Sequence, residues 1–493
     1  MFLHIMTAVM SLSLSAQAAP TESKQGQKKD QKQDLLIKLA PRTTYSMKLF
    51  AQFEGKGASV EQLNDQWIHV EGGQLTHKEM QALSKNPAIE SIQPNYPIHL
   101  LEDYSVRDPL LRAAIMKAAA RQGKNIRALD KDKKYTDNPD FISAPQQTPG
   151  ADPLFNNQWG MKDIDVADAW KVNIGSPEMI VAVIDTGVDY THEDLVPNLW
   201  INTKEIANNG IDDDNNGYVD DTGGWDFSSD DNKPYDLAVE QLQLLTGGNP
   251  GHGTHCAGNV AARSDNGVGI AGVAPNVRIM ALRFISDKGA GTTAGAIKAI
   301  KYAVDNGAKI LSNSWGSEGE DPAEGTENQA LRDAVQYAQD KGVLFIAAAG
   351  NGHKGVGYDN DTDPKPSYPA TYTHENIISV AAIDVNDNFG AFSNWGLKTV
   401  HIAAPGVNVF STTVGSEYSD VVLDKYGFHA TWDGTSMATP HVAGAAALYW
   451  SAHPEKTWRE VKAAILGSAK KIPAATGKLV SEGKLDVNAL MHY

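Results

Sequence analysis

Between residues 180 and 403 the chain returns six times to a short, mainly apolar run: 180–184, 278–283, 309–312, 343–347, 377–382 and 402–403. Runs of this length without polar alternation read as strands buried on both faces, as in parallel sheets. Helix-like stretches such as 294–306 and 326–341 fall between them. A parallel neighbour is reached only by a crossover, so this succession predicts an α/β fold: a largely parallel sheet with helices on both faces. Chemistry in such a sheet gathers at the carboxyl ends of the strands. No internal repeat is visible.

Three segments carry reactive side chains in that setting. The first apolar run, Met179-Ile-Val-Ala-Val-Ile184, ends in Asp185-Thr-Gly-Val-Asp189, an acid where a buried strand breaks. In Gly251-His252-Gly-Thr-His255-Cys-Ala-Gly258 a histidine opens an Ala/Gly-rich helix. In Gly434-Thr-Ser-Met-Ala-Thr-Pro-His441 a serine precedes the apolar run 443–450. A serine at a helix N-terminus lies beside free N–H groups and the positive end of the dipole, which favours an oxyanion there. Pro440 is expected in the first turn, where its missing N–H costs nothing. Asp185, His252 and Ser436 can form a relay in which the acid orients the imidazole, the imidazole takes the serine proton, and the serine attacks a carbonyl. Each alone has an ordinary alternative: Asp185 as a turn carboxylate, His252 and Ser436 as helix caps.

With these motifs in this order, the chain resembles the subtilisin-like serine proteases (subtilases) over roughly residues 150–493. A fourth matching segment is Ala347-Ala-Ala-Gly-Asn351. The resemblance implies a subtilisin-like fold, a serine endopeptidase, and Asn351 as side-chain donor to the oxyanion beside the Ser436 N–H. It also implies a substrate strand paired with Gly289-Ala-Gly291 and Ser314-Trp-Gly316. Main-chain pairing accepts many sequences and leaves specificity to the pockets. Ser367 is expected at the base of the first pocket with no clear charge nearby, hence broad specificity for large uncharged residues before the cut.

The same resemblance implies structural calcium. The strong site maps onto Asp152, Asp194, Asn266 and the carbonyls of Arg263, Val268 and Ile270. A second group, Asp212, Asp214, Asn216 and Gly217, fits the first half of a calcium loop, with Asp221 as closing ligand because position 12 is Gly223. Asp226 with Asp230 and Asp231 is a weaker third group. At the family's other common cation site His401 stands where an acid is expected, and no site is assigned there.

Residues 1–18 are apolar and end in Ala16-Gln-Ala18, the form of a secretory signal peptide, although Met1-Phe-Leu-His4 lacks a basic residue. Residues 34–100 have their own patterning: strand-like 35–39, alternating 66–71, helical 77–85, then 88–96. This unit resembles the small α+β inhibitor-type propeptide of subtilases, whose tail occupies the active site like a product; an accessory domain that stays attached is the alternative. Residues 101–150, with a basic helix at 109–122, read as a linker containing the maturation cut. The catalytic domain is 151–493. Residues 19–150 hold 19 basic and 16 acidic side chains and the rest 24 and 44, which suggests electrostatic pairing and argues against nucleic acid as a partner. No later stretch is long enough to span a membrane. The expectation is a secreted protein, or a periplasmic one in a Gram-negative cell. It should be monomeric when mature, act on proteins and peptides, and carry its own propeptide as inhibitor.

The one cysteine, Cys256, excludes an internal disulfide. It reads as a buried thiol near the histidine rather than a nucleophile. His252 and His255 lack the spacing and the acid of a helical zinc pair. Two other classes stay open: a calcium-stabilised binding protein with an unused triad, and a self-processing zymogen with one narrow target.

Overall fold

The computed structural model describes residues 34–73, 75–102, 104–105, 152–318, 328–425 and 428–493. The expected signal segment, the helix at 109–122 and most of the linker lie outside the described residues.

The larger part of the chain is built on a nine-stranded sheet. From one edge its order is Lys470–Lys471, Gly483–Lys484, Ile402–Pro405, Ile377–Ile383, Leu344–Ala348, Ile310–Asn313, Ile180–Asp185, Arg278–Arg283 and Gly224–Asp226. Neighbours run parallel except the first pair. All six apolar runs are strands of this sheet. The three added strands are too short to show a period in the sequence.

Alternation along the strands divides the interior in two. Val181, Val183, Ile346 and Val380 enter one core together with side chains of the helices His252–Ala261 and Thr435–Ala452. Ala182, Ile184, Leu282 and Phe345 enter the other, with the helices Thr293–Asp305 and Gln329–Asp340. Both faces are therefore covered, and each large aliphatic side chain buried there contributes about 1.5–3 kcal/mol.

The helix Thr435–Ala452 is buried from Thr435 to Trp450, which its small residues permit. A Cβ on Gly444 would come within 2.7 Å of Val273. Pro440 sits differently from expectation. It is the sixth residue of the helix, where a proline removes a bond to the carbonyl four residues back. That carbonyl belongs to Ser436, and it is taken instead by the Ser314 hydroxyl at 2.9 Å and the Cys256 thiol at 3.6 Å.

The N-terminal unit is a four-stranded antiparallel sheet in the order Ala58–Gln62, Trp67–Gly72, Asp34–Leu39, Ile89–Pro94, with helices Met47–Glu54 and His77–Ser84. Ile37, Phe50, Phe53, Ile68 and Val70 form its own core. It rests on the helices Thr293–Asp305 and Gln329–Asp340. Trp67 Nε1 donates to Asp333, which also pairs with Lys38 at 3.0 Å, and Lys298 pairs with Glu61 at 3.0 Å. Charge thus crosses the contact in both directions. Asn95 Oδ1 and the Tyr96 carbonyl accept the N–H groups of Ala294 and Thr293, capping the first of those helices.

Candidate active site

Asp185 and His252 are brought together by two adjoining structures, the end of the strand Ile180–Asp185 and the start of the helix His252–Ala261. The Nδ1–H of His252 donates to Asp185 Oδ1 at 2.8 Å, and both side chains are fully buried. Sequence reasoning missed the residues that hold this pair. Asn249 Oδ1 accepts the N–H groups of Gly251 and His252, a cap for the helix. The buried Asp236 carboxylate accepts from the Thr186 hydroxyl, from Asn249 Nδ2, and from the N–H and hydroxyl of Thr254. One carboxylate therefore ties the residue after Asp185 to the turn containing His252. Only its position just upstream of the histidine motif could have signalled it.

Burial alone would lower the His252 pKa, but the adjacent Asp185 carboxylate outweighs it and holds the imidazole well above its ordinary value. Burial pushes the Cys256 thiol up, so Cys256, 3.9 Å from His252 Nδ1, is kept as a thiol. His255 points elsewhere: its Nε2 faces the Val409 carbonyl at 3.0 Å and its ring stacks on Trp432. The two histidines do not converge on one point.

Ser436 is the second residue of its helix, at the carboxyl edge of the sheet. Its Oγ donates to the Ser314 carbonyl at 3.1 Å. Asn351 lies beside it, its Oδ1 accepting the N–H and hydroxyl of Thr435 at 2.9 and 2.8 Å. Those two bonds fix the oxygen and turn Nδ2 toward the cleft, where it donates to Glu102 Oε1 at 2.9 Å.

The expected substrate-binding segments also meet, and they hold the chain's own strand. Pro97–Leu100 lies between Ala290–Thr292 and Trp315–Glu318, antiparallel to both, with Ser367–Tyr368 completing a four-stranded sheet. Ile98 is opposite Gly291, His99 opposite Gly316, and the Leu100 N–H donates to the Gly289 carbonyl. A Cβ on Gly316 would lie 3.3 Å from Leu101 Cδ2 and 3.4 Å from Ser367 Oγ. Leu101 therefore fills the space that Gly316 leaves open above Ser367.

Asp152 and Asp194 occupy one site. Asp194 accepts Asn266 Nδ2 and the Ile270 N–H, both at 2.8 Å, and its carbonyl accepts the Arg263 N–H. Val268 donates its N–H to Asn266 Oδ1, and Asp152 Oδ2 accepts from Asp265 while its Oδ1 is buried without a hydrogen-bond partner. Burial, with Asp152 nearby, raises the Asp194 carboxyl to about 7. An orphaned buried oxygen next to a second, destabilised carboxylate suits a hard cation. In the acidic loop the carboxylates of Asp212 and Asp214 converge with that of Glu205, which the sequence reading overlooked. Asp221 instead accepts from Asn202, Asn216 and Tyr302. Asp226 is engaged by Arg283 in a buried ion pair.

The model of the subtilase family matches residues 176–484. The chain is 36% identical to thermitase of Thermoactinomyces vulgaris over 343 residues, covering 69% of this chain and 99% of that protein. It is 35% identical over 348 residues to a thermophilic serine proteinase of Bacillus sp. (strain AK1), covering 71% and 70%. In fold it is similar to fervidolysin from Fervidobacterium pennivorans, a keratinolytic enzyme related to subtilisin. The TM-score is 0.63 at 23% identity, over 95% of this chain and 62% of that one.

Proposed function

Because this chain belongs to the subtilase family and is a serine endopeptidase, we propose that it is an exported, self-processing zymogen working through Ser436, His252, Asp185 and Asn351. The observation that carries the reading is the placement of His252. Its Nδ1 is committed to Asp185 at 2.8 Å, which leaves Nε2 for the serine proton. Ser436 Oγ attacks the peptide carbonyl as His252 Nε2 takes its proton. The oxyanion receives Asn351 Nδ2 and the Ser436 N–H, and collapse expels the amine with the proton from His252. Water then repeats the sequence on the acyl-enzyme. Residues 34–100 act as the propeptide, and their tail lies in the cleft as a substrate would.

Leu101 beside Gly316 and Ser367 supports a preference for large uncharged side chains before the cut. Asp152, Asp194 and Asn266, with the carbonyls of Arg263, Val268 and Ile270, would hold one calcium. Asp212, Asp214 and Asn216 would hold a second, with Glu205 a better-placed closing ligand than Asp221. When bound, calcium supplies cross-linking charge that a chain without disulfides lacks. Export is supported by the sequence of residues 1–18. No helix among the described residues is long and apolar enough to cross a membrane.

The test is incubation of purified precursor with casein, beside the Ser436→Ala chain. Casein cleavage and release of the N-terminal unit should occur only with Ser436 present. Normal processing and cleavage by the alanine variant would overturn the assignment.

A further inference from the structure

The side chain of Glu102 stands where the reaction would have to take place. Its Oε1 accepts from Asn351 Nδ2 at 2.9 Å, and its Oε2 approaches His252 Nε2 to 3.2 Å, an ion-pair contact without hydrogen-bond alignment. A Cβ on Gly434 would collide with Oε1, so the carboxylate lies against the start of the serine helix. One carboxylate thus covers both the base and the oxyanion donor. Ser436 Oγ, which should face His252 Nε2, donates to the Ser314 carbonyl instead.

The strand register locates the backbone. His99 is opposite Gly316 and Leu100 opposite Trp315, so Leu101 comes level with Ser314, one residue before Trp315. Its side chain enters the space between Gly316 and Ser367. Glu102 is then the residue just past the bond that faces Ser436. Beyond it, Tyr104 packs on the core of the body, so the chain is held on both sides of that bond.

We propose that the Leu101–Glu102 bond is the first bond this chain cuts in itself, and that the Glu102 carboxylate is a latch that keeps it uncut until it swings away. The inference rests on the self-processing reading above. With the latch in place His252 Nε2 is paired to a carboxylate and Asn351 is engaged, so no attack begins. When Glu102 leaves, Ser436 Oγ bonds to the Leu101 carbonyl carbon and its proton passes to His252. The C–N bond to Glu102 then breaks, and the Glu102 nitrogen takes that proton as a free amine. Water releases Leu101 as a carboxylate. Glu102 departs on the new N-terminus, so the cut removes its own restraint.

The test compares four full-length chains refolded from denaturant: unaltered, Glu102→Ala, Glu102→Gln and Ser436→Ala. Mass spectrometry reads the first fragment released and its rate. Labelling of Ser436 by a fluorophosphonate reads site accessibility before any cut. The released fragment should end at Leu101. Both Glu102 variants should release it and take up label about tenfold faster or more, since freeing even one oxyanion donor is worth about 10²–10³. Glutamine keeps the shape without the charge, so it decides the matter if the alanine chain misfolds. Unchanged or slower rates in the Glu102 variants overturn the latch, and a first cut elsewhere overturns the bond assignment. Release of the fragment by the Ser436→Ala chain would overturn self-processing itself, whatever Glu102 does.

Discussion

Asp236 and Thr254 are joined by two hydrogen bonds to the same carboxylate oxygen, from the threonine N–H at 2.8 Å and its hydroxyl at 2.6 Å. Thr254 is two residues past His252, so this pair fixes the pitch of the helix that presents the imidazole. Asp236→Asn cannot accept all four donors, because each oxygen takes two and the NH₂ must face one of those pairs. We expect kcat to fall about 100-fold with KM little changed, because a displacement near 1 Å costs that much. A stability loss of about 1.5–3 kcal/mol should accompany it. Steady-state kinetics with a peptide substrate separates the two effects, and an equal loss in both parameters would contradict a positioning role.

Asn351→Ala should fold, since the two buried bonds it loses to Thr435 sit at the first residue of a helix that is buried along most of its length. Its kcat should fall by about 10²–10³, a magnitude taken from another subtilase and not from this geometry. An unchanged kcat would remove Asn351 from oxyanion stabilisation.

The pH dependence follows from His252. Burial opposes its charged form, but Asp185 outweighs burial and raises the pKa. The base is active when neutral, so a raised value moves the acid limb of kcat/KM to the alkaline side of about 6.5. Asp185→Asn should bring the limb back toward acid and lower kcat by about 10⁴. A rate maximum below pH 5 would exclude histidine as the base.

Much of this was readable beforehand, for a physical reason. Strands buried on both faces must be apolar throughout, so 180–184 and 343–347 announced themselves. Asp185, His252, Asn351 and Ser436 stand in motifs whose turns and helix starts leave local signals. Asp236 and Glu102 left almost none, because each acts through a partner distant in sequence, Asp236 meeting Thr186 across 50 residues and Glu102 meeting Asn351 across 249. Pro440 was misplaced because composition shows that a helix is near, not at which residue it begins. The strand Pro97–Leu100 has too few residues to reveal a period and is defined only by its neighbours.

Calcium should support stability and not chemistry. Asp152 and Asp194 are outside the Asp185–His252–Ser436 group, and a buried pair of carboxylates without a cation is costly. EDTA should lower Tm and speed self-digestion, while initial activity in the cold stays nearly intact. Ion at 100 times its Kd adds about 2.7 kcal/mol. Asp194→Asn should mimic the chelator in calorimetry. Immediate loss of activity on chelation, restored by zinc, would refute the serine mechanism.

His69 links pH to the stability of the N-terminal unit. Burial would lower its pKa, but Asp34 at 2.8 Å and Glu61 raise it to about 9. A raised pKa means stability that is complete below about 6.5 and lost as pH rises through about 9. The ceiling is about 3 kcal/mol, reduced by solvent because Asp34 and Glu61 are 40% and 46% exposed. Denaturant midpoints of the Ser436→Ala precursor should fall between pH 6.5 and 9.5. The His69→Gln chain should show no such slope.

The strand Pro97–Leu100 sits between two strands that do not touch each other, which sets a gauge for whatever replaces it. Two inter-strand spacings make the slot about 9.5 Å wide. An α-helix with its side chains is about 10–12 Å across and has no free main-chain groups to offer the walls. Only an extended segment of at least four residues, bare on both edges, can enter. A folded protein presents such a segment when part of it opens, so the rate at which this enzyme degrades a protein should track the free energy of that local opening. The cleft reads the looseness of its target before any pocket reads a side chain.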